Sequence, residues 1–416
     1  MNIVKKNLLT SSIAFYVIQL LNILSPLLVL PFLSRSLSVD GFGKVMLFNS
    51  LCGIVYIVND FGFGLSATHS ISKNREDKLA LNRIVSSIFI LKIPLFILSS
   101  LGVIVYLKYY SNITYDNTAI LCLLGVSLFQ SLQPLWLFQG LEIMKKVIVL
   151  FVIPKIGYIF YVLYFIHDDS DLNKIYFSLF FCMLLNFIFL YFSMKKIEIS
   201  FTIPENSTLR YIFKDSSTFF LSRAAVSVYT SVSSIIIGNY SGLIQLALYS
   251  CAEKIYQGLQ SITGPVSQAI FPYLSFNKDH KLIIRLTICT LPILLLISAI
   301  IFIFSKDIII IIFGVKYIDS YEILNIFSIT MIINYIGTNF GYPAFAAINN
   351  IRFVNLTVII GAFFQILLLL ILISNNKISA INIAYSILIT ESIVASIRVY
   401  FFLRKSNYKK INNSNY

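Results

Sequence analysis

Apolar runs of about 20 residues, each long enough to cross a hydrocarbon core about 30 Å thick, follow one another along this 416-residue chain with only short polar connections between them. Helices are the expected spanning form, because a helix satisfies its own backbone hydrogen bonds where no water can reach. Spans are placed at Leu9–Pro31, Val45–Leu65, Ile84–Leu107, Thr118–Phe138, Val147–Ile166 and Ile175–Ser193. The second half gives Ser216–Gly238, Leu243–Leu274, Ile283–Phe304, Tyr321–Ala346, Val354–Ser374 and Ser379–Leu403. The expected fold class is therefore an all-α, polytopic membrane protein of about 12 transmembrane helices. Composition points the same way: 58% of residues are hydrophobic and 12% are charged, about half the charged share of a soluble domain. Ile308–Gly314 is too short to cross and is read as a partial turn at the interface. Lys5 and Lys6 precede the first run as in a signal peptide. That run is long and lacks a small-x-small cleavage site, so a retained first helix is expected.

Net charge is +14, yet the basic residues sit in short loops between apolar runs, so nucleic acid is not the expected partner. With twelve spans the loops fall alternately on two sides. Roughly 20 basic residues, among them Lys73, Arg75, Lys78, Lys145, Lys195, Arg210, Lys281 and Arg404, fall on the side of the termini, against roughly 7 on the other. The positive-inside rule then places both termini in the cytoplasm, and Asp168, Asp169 and Asp171 outside.

The longest polar connection lies mid-chain. The expected organisation is an N-terminal six-helix lobe at 1–193, a cytoplasmic linker at 194–214, a C-terminal six-helix lobe at 215–403 and a cytoplasmic tail at 404–416. The halves share a layout. Gly140-Leu-Glu-Ile-Met-Lys and Ala347-Ile-Asn-Asn-Ile-Arg both join a fourth span to a fifth, about 207 positions apart. Six is an even number, so the halves run in the same sense, as parallel repeats do in transporters with a site between two bundles.

An ionisable side chain deep in a span costs several kcal/mol against lipid, so it marks a partner or a wet cavity. Asp60, Lys92, Lys155, Arg223, Glu253, Lys254, Glu391 and Arg398 are such residues. In the seventh span Ser216, Arg223, Ser227, Thr230 and Ser234 recur at helical spacing; in the eighth, Gln245, Tyr249, Glu253, Gln257 and Gln260 do the same. Polar groups of this kind also glue helices together. Two continuous stripes containing Arg223 and Glu253 favour a hydrated cavity. Gln19 and Asn22 give the first span a lighter version.

Lys92, Lys155 and Arg223 each enter about 8 residues, roughly 12 Å, from the same side. Either Lys92 and Lys155 snorkel back to the headgroups, or the three cations, with Arg398, ring the mouth of a cavity suited to an anionic group such as a pyrophosphate. The candidate substrate-binding set is thus Arg223, Lys92, Lys155, Glu253, Lys254, Gln257 and Arg398. Asp60, Glu253 and Glu391 either pair with cations or take up the ions that drive transport.

Enzyme chemistry finds little support. His69, His167 and His280 lack metal-ligand spacing, no phosphate-cradling Gly-rich loop is present, and the five cysteines stand singly in apolar runs as packing residues. No metal or cofactor is expected.

Gln19-Leu-Leu-Asn22, Pro26 to Arg35, Asp40-Gly-Phe-Gly43, Asn59-Asp60-Phe-Gly-Phe-Gly64 and Gln133-Pro-Leu-Trp136-Leu-Phe-Gln139-Gly140-Leu-Glu142 resemble the bacterial polysaccharide flippases. These are the O-antigen and capsule repeat-unit translocases, in the superfamily that also holds multidrug exporters and the peptidoglycan-precursor flippase. The resemblance implies a MATE-like pair of six-helix lobes around a central cavity, in the bacterial inner membrane. The implied substrate is an oligosaccharide linked through pyrophosphate to a polyprenol, with polysaccharide polymerase and chain-length proteins as associates. The motifs concentrate in the first half. In the peptidoglycan-precursor flippase the first span carries essential cavity charges; here it offers Gln19 and Asn22, with Arg35 at its outer end, which points to a different sugar. Two alternatives remain: a cation-coupled drug exporter, for which an acidic cavity is expected, and a membrane-embedded polysaccharide polymerase or ligase, for which a large outer loop is expected.

Overall fold

The computed structural model describes Ile18 and residues 25–278, 280–348 and 350–413. Most of the first expected span, including Gln19 and Asn22, lies outside the described residues, as do Lys5 and Lys6. Among the described residues, helices make up all of the regular structure, and ten are long and apolar enough to cross a membrane.

Packing divides the chain into two units, Met1–Ser227 and Val228–Tyr416. The first holds α1 (residues 25–36), α2 (Val39–Asp60), α3 (Phe63–Lys73), α4 (Lys78–Tyr109), α5 (Asn117–Leu132), α6 (Leu135–Gly140), α7 (Ile148–Phe165), α8 (Leu172–Lys196) and α9 (Asn206–Ser227). Here α2 packs on α4 and α5, α8 on α5 and α7, and α9 on α2, α3 and α4. The second holds a π-helical turn at Val228–Val232, then α10 (Ser233–Ser241), α11 (Leu243–Asn277), α12 (His280–Ile303), α13 (Ser305–Phe313), α14 (Ser320–Asn339), α15 (Tyr342–Ala347), α16 (Ile351–Ser374) and α17 (Ala380–Asn413). In that unit α14 is central, touching α11, α12 and α17. The short apolar run near Ile308 forms α13. The eighth expected span is α11, 35 residues long and helical through Pro265. The seventh begins ten residues before its apolar run, since the polar stretch Asn206–Asp215 is already helical; hydropathy marks where a helix meets lipid, not where it starts.

Three expected spans are cut in two. The chain leaves α2 through Phe61 (φ 43°) and Gly62 (φ 81°) before α3 begins. It leaves α5 at Gln133, whose ψ of 118° is extended, because Pro134 crowds the helical conformation of the residue before it. It leaves α14 at Phe340–Gly341. The last two breaks match: α6 and α15 are both six residues long, and Leu135 and Tyr342 stand 207 positions apart. That is the offset at which the sequence layout repeats.

Apolar burial holds the first unit around Phe63, Ile71, Val85, Ile88, Leu137, Phe138 and Val147. Its loops are pinned by polar contacts. Ser38 caps α2 by accepting from the Gly41 amide at 2.9 Å, and its own amide donates to Asp169 at 2.8 Å. Arg75 pairs with Glu142 and donates from Nε to the Gly140 carbonyl, closing the end of α6 at 2.9 Å. Lys78 pairs with Glu198, which holds that carboxyl below its ordinary value. Cys52, Cys122, Cys182 and Cys251 are buried as packing residues, whereas Cys289 is exposed; all five are free thiols.

Candidate functional site

The break after α2 organises the polar interior of the first unit. Asp60 is the last residue of α2 and is buried. A carboxylate at a helix C-terminus faces like-signed carbonyl dipoles, an arrangement unfavourable by about 0.3–1 kcal/mol. Arg223 of α9 offsets that: its Nη1 stands 3.1 Å from Asp60 Oδ2, with 36% of its side chain exposed against 6% for Asp60. Tyr56, one turn back on α2, hydrogen-bonds Arg223 as well. The guanidinium is thus anchored on one edge and open on another.

Each residue of the motif Asn59 to Gly64 has a place in this arrangement. Asn59 donates from Nδ2 to the Ser131 hydroxyl at 2.7 Å. Phe61 stacks between Phe213 and Phe220 of α9, with ring centroids 4.5 Å from each. Gly62 admits α9, because a Cβ there would lie 2.6 Å from the Ser216 carbonyl oxygen. Phe63 fills the core. Gly64 leaves room for the ion pair, since a Cβ would lie 3.3 Å from both Arg223 Nη1 and Asp60 Oδ1. The hydroxyls of Ser66 and Ser216 are 2.6 Å apart beside it.

Lys92 is fully inside rather than at the lipid boundary, with 3% of its surface exposed. Its ammonium donates to the Ser131 carbonyl, one of the last-turn carbonyls of α5 that the break leaves without an intrahelical partner. Asp60 is near enough to act on it electrostatically. Arg398 does the equivalent work in the second unit. Its Nη1 donates at 2.8 Å to the carbonyl of Gly337, in the last turn of α14, while its Nε donates at 2.8 Å to Thr357 of α16. Each matching break therefore has a cation on its open carbonyls. Lys155 lies apart, buried on α7 with its ammonium 4.9 Å from the Phe151 ring centroid and Cys182 nearby.

In the second unit Glu391 is hydrogen-bonded by Asn334 and lies within electrostatic reach of Arg398 and Tyr229. Glu253 is buried on α11 and hydrogen-bonded by Gln257, which also accepts from Lys254 at 2.9 Å. Tyr256 lies near both carboxylates and stacks on Phe327 at 4.9 Å. The structure thus gathers the candidates into two groups: Asp60, Lys92 and Arg223 in one unit, and Glu253, Lys254, Gln257, Glu391 and Arg398 in the other. Ser131, Tyr56, Asn334 and Tyr229 were missed by sequence reasoning, being uncharged residues of common types. Gln365 was missed too, although a fully buried glutamine in an apolar run is a readable signal; it donates to Ser386 and accepts from Thr390, both at 2.9 Å. Among the described residues no cluster suits a metal ion.

The family model described as polysaccharide biosynthesis protein matches residues 8–278. The chain belongs to that family. Two curated relatives, both named putative O-antigen transporter, are similar to this chain in sequence. The one from Shigella dysenteriae is 29% identical over 67% of this chain and 69% of its own length. The one from Escherichia coli K12 is 28% identical over 66% of each. The fold is that of an inward-facing multidrug resistance MATE family transporter, with a TM-score of 0.73 at 14% identity over 94% of this chain and 96% of the other. It is equally that of the lipid II flippase MurJ in an inward closed conformation, with a TM-score of 0.71 at 15% identity over 96% and 90%.

The geometry predicts a division of labour between buried Lys92 and partly exposed Arg223. Lys92→Met removes a charge-assisted bond at the end of α5 but also relieves a buried ammonium. The net loss of stability is expected to be about 1 kcal/mol, read as a small fall in Tm, with transport close to that of the parent protein. Transport lost as completely as with a change at Arg223 would mean that Lys92 meets the substrate.

Proposed function

We propose that this chain is a flippase that turns over polyprenyl-pyrophosphate-linked oligosaccharide repeat units, from the cytoplasmic to the outer leaflet, for O-antigen assembly. The family and the names of the two curated relatives support that substrate class. One observation carries the mechanism: the Arg223 guanidinium is anchored by a buried carboxylate and still open. A planar donor fork held this way suits phosphate oxygens, which it can engage in pairs. Lys92 and Arg398 are committed to helix ends, so Arg223 is the proposed pyrophosphate contact of the first unit; Lys254 and Gln257 are separately proposed as substrate contacts of the second. Asp60, Glu253 and Glu391 are the proposed ion-coupling carboxylates.

The proposal keeps a two-lobe organisation with a linker at 194–214 and a tail at 404–416. It also keeps the inner membrane and both termini in the cytoplasm, as loop charge supports, with transport and not catalysis as the activity. Association with polymerase and chain-length proteins belongs to the same proposal. The test is flipping of a labelled lipid-linked oligosaccharide in vesicles that contain this protein alone. Time-dependent arrival of the sugar at the far leaflet is expected; a label that stays put in vesicles holding folded protein would overturn the proposal.

A further inference from the structure

The connection between α8 and α9, residues 197–205, is not a loose loop. It is laced along the first turns of α4. Glu198 pairs with Lys78. The Ser200 amide donates to Asn82 Oδ1 at 3.0 Å, and Asn82 Nδ2 donates back to the Ser200 hydroxyl at 2.8 Å. The Thr202 amide donates to the Ser86 hydroxyl at 2.9 Å. The registers agree: four residues of extended chain reach about 13 Å, and the eight helical residues from Lys78 to Ser86 rise about 12 Å. Ile199 faces inward and is buried.

What this strap shows outward is the unusual part. Phe201 is 49% exposed and leans edge-on against Phe89, at 5.3 Å. Ile203 is 99% exposed, held there by rigid, buried Pro204. A bare isoleucine beside a half-exposed phenylalanine gives the strap an apolar edge that an acyl boundary can receive. Lys195 and Lys196 precede the strap at the end of α8, Arg210 and Lys214 follow it in the first turns of α9, and all four are exposed; the Lys195 ammonium lies over the Tyr191 ring. The carboxylates in the same stretch are Glu198, which is taken up by Lys78, and Glu205, which accepts from Ser207 at 3.2 Å. A basic rim around projecting apolar side chains is the chemistry of a segment that lies in the plane of the membrane interface.

We infer that residues 197–205 form an interfacial anchor that binds anionic phospholipid, with Phe201 and Ile203 entering the acyl boundary and the four cations holding the headgroups. The charge balance selects this occupant, since each surface Lys or Arg adds attraction to anionic lipid and the attraction fades with salt. The inference is independent of what the protein transports.

The full-length protein is placed in nanodiscs of phosphatidylcholine alone and in nanodiscs of equal parts phosphatidylcholine and phosphatidylglycerol. Lipid retention is read by native mass spectrometry, and Tm is read in parallel. The parent protein should retain phosphatidylglycerol and gain Tm from it, with the gain shrinking at high salt. The variant Lys195→Ser, Lys196→Ser, Arg210→Ser, Lys214→Ser should bind phosphatidylglycerol at least about tenfold more weakly. A second variant, Phe201→Ser with Ile203→Ser, leaves every charge in place. It should also weaken retention while keeping its Tm in phosphatidylcholine, which separates lipid binding from folding. Equal retention by either variant, or an equal gain from phosphatidylcholine, would overturn the inference and assign the patch to another occupant, a protein partner included.

Discussion

Arg223→Ala should abolish flipping of a lipid-linked oligosaccharide while the protein is still made and inserted. Two effects are combined in that change. The first is loss of the open guanidinium proposed to hold the pyrophosphate. The second is that Asp60 is left buried without its partner. Breaking a fully buried pair from one side costs about 3–5 kcal/mol; with the arginine one-third exposed, solvent screens part of that, and about 2 kcal/mol is the reasonable expectation. The stability effect is isolated in the double variant Asp60→Asn, Arg223→Ala, which also removes a proposed coupling carboxylate, so its transport is informative only if it returns. Neutralising Asp60 should return most of the lost Tm, yet flipping should stay absent. If the double variant recovers transport along with stability, Arg223 serves the fold and not the substrate. Arg223→Lys is the sharper chemical probe. It keeps the charge and loses the planar fork, so binding should weaken while Asp60 stays paired.

The second large effect is expected at a position with no charge. Gly62→Ala should cost more than about 3 kcal/mol, seen as a fall in Tm of roughly 10 °C or as loss of monodisperse protein. Its backbone sits at φ 81°, and an added Cβ would lie 2.6 Å from the Ser216 carbonyl oxygen and 2.9 Å from Phe219 Cβ. The left-handed conformation alone costs an alanine about 1–2 kcal/mol. The contact adds to this, because α9 backbone has to move. Gly157→Ala is the matched control, with nothing within 4 Å of its Cβ position, and it should be neutral. If Gly62→Ala kept parental Tm, the close approach of α9 to the break would not be needed.

The all-helical membrane fold could be read from hydropathy, because lipid leaves the backbone few choices and asks for long apolar runs. The breaks could not. Apolar character continues through Phe61–Gly62, through Gln133–Pro134 and through Phe340–Gly341, so a window average runs straight across each. Pro134 was a hint, since proline disfavours a helical residue before it, and so were Gly341 and Pro343 at the third break, which stand at the cap and in the first turn of α15. The depth of Asp60, Lys92 and Arg223 was visible for the same reason that the fold was, as charges interrupting hydrocarbon. Their destinations were not. Asp60 and Arg223 are far apart in the chain, and periodicity on α9 shows a polar face without naming what faces it. For Lys92 the sequence allows the headgroups or a cavity; a third destination, the bare end of a neighbouring helix, appears only once the break in α5 is known. The glycines of the Asn59 to Gly64 motif show the same gap, since letters reveal a glycine but not the helix that passes over it.

The two six-residue pieces that follow the matching breaks have a mechanical consequence. In both units the rod is cut so that its last carbonyls stay open, and a side chain from a neighbour closes them: α4 provides Lys92 in one unit, and α17 provides Arg398 in the other. Each cut thus ties a broken helix to an unbroken one, so that a tilt of the offcut is felt by the helix that sends the cation.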